Sequence, residues 1–89
     1  MLLHKNIRIE GRVQGVGFRY SAFHKAKELN LKGYVKNQPD GSVYVEIEGD
    51  EDSINKFILW CYQGPPMAKV TNVYISDGIL RYFNSFDIR

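Results

Sequence analysis

The stretch Gln14-Gly15-Val16-Gly17-Phe18-Arg19 sets two glycines and an arginine where an alternating, strand-like pattern gives way to a helical one. Glycines permit positive φ angles, so successive N–H groups there can turn toward one point. A helix beginning at Phe18 adds the partial positive charge of its N-terminus. Such a loop suits an anion. Arg19 supports that reading, because a cation in the first helical turn opposes the helix dipole and a bound anion reverses the penalty. The alternative is a plain glycine turn followed by a solvated arginine, since short glycine motifs recur by chance. Asn37 has two readings as well. An asparagine ahead of a turn often bonds the backbone in Asx fashion. Beside an anion site its amide can donate to and accept from a water at once, and so aim it without acting as a base.

Those residues need elements to bring them together. In Lys5–Val13, Ile7, Ile9 and Val13 fall in one phase and Arg8, Glu10 and Arg12 in the other, which predicts a half-buried strand. Phe18, Ala22, Ala26 and Leu29 recur at helical spacing, and Asn30 is a plausible left-handed stop. Gly33–Asn37 and Ser42–Gly49 flank the turn signal Gln38-Pro39-Asp40-Gly41 and predict a hairpin. In its second arm Val43, Val45 and Ile47 oppose Tyr44, Glu46 and Glu48, which are assigned to a wet face. Asp50, Glu51 and Asp52 open a second helix with apolar Ile54, Phe57, Ile58 and Cys61, ended by Gly64-Pro65-Pro66. Lys69–Ile75 alternates with a phase slip between Val70 and Val73, the mark of a bulge. Phe86 and Ile88 suggest a last short strand.

The order β-α-β-β-α-β, plus the terminal strand, predicts an α+β, ferredoxin-like two-layer sandwich. Its sheet is mostly antiparallel, with both helices on one face. A right-handed crossover makes the first two strands parallel, with the third fitting between them. Their C-terminal ends then share one edge of the sheet, roughly 10 Å apart. The glycine loop and Asn37 both lie at that edge, and Asn37 is in phase with the core residue Val35.

With 89 residues the chain is read as one domain, residues 1–89. Twelve Lys+Arg against ten Asp+Glu give a net charge of +2, too mild to call for nucleic acid or an anionic membrane. Lone Cys61 allows no internal disulfide and points to a reducing, cytoplasmic setting. Met1-Leu2-Leu3, interrupted by His4 and Lys5, does not read as a signal peptide, and Phe57–Tyr62 is too short to span a bilayer. His4, His24 and Cys61 show no metal-ligand spacing. A cysteine phosphatase needs an arginine shortly after its thiolate, and Met67 occupies that place. No Gly-Lys-Ser/Thr closes the glycine loop, which argues against a nucleotide P-loop.

Gly11-Arg12-Val13-Gln14-Gly15-Val16-Gly17-Phe18-Arg19 resembles the first signature of acylphosphatases, and Gly33 through Val43, running on to Gly49, resembles their second. Gly64-Pro65-Pro66-Met67-Ala68-Lys69-Val70 and Phe86-Asp87-Ile88-Arg89 are also similar to that family. The resemblance implies hydrolysis of acyl phosphates to a carboxylate and inorganic phosphate. It implies that Arg19 and the amides of Gln14, Gly15, Val16, Gly17 and Phe18 hold the phosphoryl group, and that Asn37 positions the attacking water. Asn30 stands where the family often has glycine, and Ile79-Leu80-Arg81-Tyr82-Phe83 is more apolar than expected.

The chemistry is consistent with that implication. A carboxylate leaving group has a low pKa and needs no general acid, and the loose transition state asks mainly for fixed donors on the equatorial oxygens. The expectations are therefore no metal and no other cofactor. A small acyl phosphate is the expected partner, inorganic phosphate or sulfate the competing anion, and a monomer the expected state. The rival is a non-catalytic ferredoxin-like module that binds RNA or a small anion. Its RNA form needs base-stacking aromatics on the open sheet face, where Glu46, Glu48 and Glu10 would repel a phosphate backbone.

Overall fold

Alternation in the first segment yields strand β1 (Leu3–Arg12), whose Ile7 and Ile9 are fully buried. In the computed structural model, which describes residues 1–89, helix α1 (Phe18–Glu28) follows and buries Phe18, Ala22 and Ala26. Two alanines on that stripe let the helix lie close to the sheet. The helix ends as its sequence predicts, with Asn30 at φ 59°. Leu31 N donates to Ala26 O at 2.8 Å and Asn30 N to Lys27 O at 3.1 Å, a Schellman closure.

Strands β2 (Lys32–Asn37) and β3 (Val43–Gly49) form the expected hairpin. Helix α2 (Glu51–Cys61) opens on Asp50, whose Oδ1 accepts from Ser53 N at 2.8 Å. Such a cap contributes about 1 kcal/mol. Strand β4 (Lys69–Asp77) and the short β5 (Phe86–Ile88) complete the chain. Glu10 pairs with Asn72 but Gly11 with Val70, so Thr71 is the extra residue that the phase slip predicts.

The sheet order is β4-β1-β3-β2-β5. All neighbouring pairs are antiparallel except β2 and β5, which are parallel. Because β1 and β2 both run against β3, they are parallel to each other on its two sides. One face of the sheet and the stripes of both helices share one core. Phe18 and Phe57 are its largest members, set among Ile7, Ile9, Val35, Val45 and Ile54. Each such side chain contributes roughly 1.5–3 kcal/mol on full burial. Neither helix is long and apolar enough to cross a membrane.

The opposite face departs from expectation. Glu46 and Glu48, assigned to water, are only 7% and 2% exposed. The segment 79–83 crosses this face and brings main-chain donors with it. Arg81 N donates to Glu48 Oε2 at 2.6 Å and Phe83 N to Glu48 Oε1 at 3.0 Å. His4 Nδ1 lies 2.7 Å from Glu48 Oε2, and His4 Nε2 lies 3.1 Å from Glu46 Oε1. The Tyr34 and Tyr44 hydroxyls both donate to Glu46 Oε2 at 2.8 Å. Alternation identifies the face away from the helices, but says nothing of a distant segment folding over it. The covering also occupies the part of this face around Glu46 and Glu48.

Candidate active site

The loop between β1 and α1 owes its shape to two glycines. Gly15 takes φ +74° and Gly17 φ +81°. A Cβ at either would meet nothing within 4 Å, so the backbone angle and not space requires glycine there. Gly17 is also the N-cap of α1, where no side chain caps the helix and no acidic residue sits in the first turn. Helix α2 has both devices, from Asp50, Glu51 and Asp52. The first main-chain bond of α1 runs from Ser21 N to Gly17 O. The N–H groups from Gly15 to Tyr20 donate to no acceptor in the protein. A run of unpaired donors at a helix N-terminus favours an anion.

Arg19 projects from that first turn and is exposed. Its Nη1 donates to the main-chain oxygen of Arg89 at 3.3 Å, and no Asp or Glu side chain pairs with it. Asn37 ends β2 opposite Val43, the residue that Ile9 of β1 pairs with from the other side. Val43 is buried, and Asn37 itself is half-buried. The Asn37 side chain makes no hydrogen bond within the protein. The Asx bond in the following turn belongs to Asp40, whose Oδ1 accepts from Ser42 N at 2.9 Å and from the Ser42 hydroxyl at 2.6 Å. Those bonds, with the Arg8 guanidinium 3.0 Å away, lower the Asp40 carboxyl to about 2.

A cavity of about 260 Å³ opens at this edge. It is smaller than the roughly 300–1,000 Å³ of sites for drug-sized ligands. Val13, Gly15, Gly17 and Phe18 line one part of it, and Arg19 and Asn37 supply charge and amide. Thus the residues singled out from sequence at positions 15, 17, 18, 19 and 37 share one space. Gln14 and Val16 do not line it. The Gln14 amide turns to the β2–β3 turn, and Val16 packs against the core.

Tyr20 and Ile88 also line the cavity and escape the sequence reading. Tyr20 follows Arg19 in an already flagged helical turn, so adjacency was an available signal. Ile88 arrives because β5 pairs in parallel with β2, Val35 opposite Ile88, and no pattern in a three-residue strand reveals that. Cys61 stands apart, fully buried, with burial pushing its thiol pKa far up. His24 is exposed on α1, its ring edge-on to Tyr20 at 4.4 Å between centroids.

Comparison with known proteins places this arrangement. The acylphosphatase family model matches residues 5–88. An acylphosphatase from Thermotoga petrophila is 47% identical over 83 residues, covering 93% of this chain and 92% of the relative. One from Nocardioides is 42% identical over 84 residues, covering 94% of this chain and 85% of the relative. The solved acylphosphatase of Coxiella burnetii superposes with a TM-score of 0.96 at 38% identity, covering 99% of this chain and 93% of that one. That of Bacillus subtilis gives 0.95 at 38% identity, covering 100% and 99%. The glycine loop, the arginine and the asparagine thus sit in a fold and a sequence that agree along nearly their whole length, and the chain belongs to the acylphosphatase family.

Proposed function

We propose that this protein hydrolyses acyl phosphates to a carboxylate and inorganic phosphate by a metal-free route in which Arg19 and the loop amides hold the phosphoryl group and Asn37 aims the water. The observation that carries this reading is the shared cavity. On one side lies a run of N–H groups without protein acceptors beside a guanidinium that no Asp or Glu side chain neutralises; on the other lies an amide with no internal partner. Fixed donors of this kind need no reorganisation as charge builds on the equatorial oxygens. Arg19 adds two parallel N–H donors in a planar fork.

Water enters opposite the leaving carboxylate. Its oxygen forms the new P–O bond as the bond to the acyl oxygen breaks, and the departing carboxylate carries away the electron pair. The water's protons pass to phosphate and solvent, so no side-chain base is required. Asn37 contributes orientation, the effect that turns a random encounter into an aligned one. Every group invoked belongs to one chain, so a monomer suffices. Phosphate and sulfate present the same oxygens as the substrate and compete for the loop.

The test is steady-state hydrolysis of benzoyl phosphate and acetyl phosphate in excess chelator, with p-nitrophenyl phosphate as a stable monoester control. Hydrolysis of both acyl phosphates, undiminished by the chelator and competitively inhibited by phosphate, is expected. Activity lost to the chelator and restored by a metal ion overturns the metal-free route. Phosphate binding without any turnover leaves a non-catalytic anion-binding module.

A further inference from the structure

Gln14 joins the two halves of the site. Its Nε2 donates to Gln38 O at 2.8 Å and to Ser42 O at 2.9 Å. Both carbonyls belong to the β2–β3 turn, where Gln38 N donates to Ser42 O at 2.8 Å and Gly41 N to Gln38 O at 3.1 Å. Each carbonyl has two lone pairs, and Gln14 fills the place that the turn leaves open. Gln38 directly follows Asn37, and Gln14 directly precedes Gly15. One side chain therefore couples the residue beside the anion loop to the residue beside the asparagine.

No backbone ladder performs that coupling. The β1–β3 pairing stops at Ile9 opposite Val43, and β1 continues to Arg12 paired only with β4. Beyond Ile9 the chain leading into the loop has left the strand that carries it toward Asn37. Among side-chain hydrogen bonds, those of Gln14 are the ones that cross between residues 13–20 and residues 37–42. The side chain is half-buried, as a cross-link between two surface turns must be.

We propose that Gln14 is a positioning residue for hydrolysis, setting the separation between the anion loop and the Asn37 amide. This rests on the roles given above to the loop and Asn37. The loop amides keep their positive-φ geometry without Gln14, because Gly15 and Gly17 supply it. The water-aiming amide loses its fixed distance from the phosphorus. Misplacement by about an ångström at a reacting centre costs on the order of a hundredfold in rate.

The experiment compares the parent, Gln14→Ala, Asn37→Ala and the double variant, measuring kcat for benzoyl phosphate and the inhibition constant of inorganic phosphate. Gln14→Met keeps the length of the stem without donors and serves if the alanine variant does not fold. The expected result is a fall in kcat of roughly tenfold to a hundredfold for the Gln14 variant, with the phosphate constant moving less than about threefold. In the Asn37→Ala background the same substitution should change kcat little, because its effect passes through Asn37. An equal fall in both backgrounds, or a loss of phosphate binding that matches the loss of kcat, makes Gln14 a structural member of the loop and overturns the inference. A parent without turnover, or a fully active Asn37→Ala, overturns the underlying reading of the site as well, so the two failures are told apart.

Discussion

Ile9 and Asn37 pair with the same residue, Val43, from the two sides of β3. They stand level on the sheet, two strand spacings or about 10 Å apart. Ile9 is buried under the helices, and Asn37, two residues beyond buried Val35, faces the same layer. From Ile9 the chain has only to pass Val13 to reach the glycine loop. The position of Asn37 is thus set by register, and its freedom to meet a ligand by the absence of any internal hydrogen bond to its amide.

Asn37→Ala should therefore separate folding from turnover. With no hydrogen bond lost inside the protein, stability should move by no more than about 0.5 kcal/mol. The rate should fall by about a hundredfold if the amide supplies the aim proposed for it. The inhibition constant of phosphate should stay within about twofold, because in the proposed reaction Asn37 serves the water and not the phosphoryl oxygens. Urea unfolding and steady-state kinetics on the same preparation check this. Parent-like turnover would remove Asn37 from the reaction.

Gly15→Ala tests the loop. The site has room for a methyl group, so the cost is that of holding φ +74° with a Cβ, roughly 1–2 kcal/mol. The loop can relieve that strain by turning its amides away from one another. Phosphate affinity should drop by about tenfold. The rise in Tm that phosphate gives the parent by mass action should shrink accordingly. Titration and thermal melts with and without phosphate provide the measurement, and an alanine variant that binds phosphate like the parent would place the anion elsewhere.

Local chemistry was legible in the sequence to the extent that neighbours in the chain cause it. Gly15, Gly17 and Arg19 announce the loop because positive φ and a cation at a helix start are read one residue at a time. Asn30 and the Val70–Val73 slip are local signals of the same kind, and the structure places a left-handed stop and a bulge there. Asn37 needed topology as well, which two alternating runs around Gln38–Gly41 supplied. The buried state of Glu46 and Glu48 needed a partner more than thirty residues away. Alternation marks Glu48 as turned from the helices but cannot show that Arg81 N and Phe83 N come to meet it. Ile88 was hidden for the same reason, since β5 enters the site through a parallel pairing with β2.

Glu48 carries a pH dependence of its own. Burial works to raise its carboxyl pKa, but the Arg81 N–H, the His4 ring and the Phe83 N–H together hold it below the ordinary 4.5. A carboxyl lowered in the folded state stabilises the protein above its unfolded value and loses that contribution as pH falls through the folded one. The window accordingly opens below pH 4.5. Glu48→Gln removes the charge from a buried hydrogen-bonded cluster and should destabilise the protein at pH 7 by on the order of 3 kcal/mol. The gap to the parent should narrow at pH 3. Denaturant midpoints at the two pH values decide it, and a gap of the same size at both would mean that Glu48 does not titrate as its surroundings dictate.

Arg19 concentrates the case for catalysis. The only hydrogen bond of its side chain within the protein is the 3.3 Å contact to the main-chain oxygen of Arg89. It stands at the positive end of α1, where a cation costs a few tenths of a kcal/mol, and an exposed bond of that length returns about as much. Arg19→Ala should therefore leave unfolding without phosphate nearly unchanged. Losing the proposed charged, forked contact to the phosphoryl oxygens should cost a few kcal/mol in the transition state, on the order of a hundredfold or more in kcat/KM. Arg19→Lys keeps the charge but presents a single ammonium in place of the planar fork, so it should recover little. Phosphate should stabilise the parent strongly and either variant weakly, because the loop amides alone remain to hold it. The deciding pair is denaturant unfolding in the absence of phosphate and steady-state hydrolysis of benzoyl phosphate. A variant that unfolds far more readily makes Arg19 structural, through its tie to Arg89. A well-folded variant with parent kcat/KM removes it from the site.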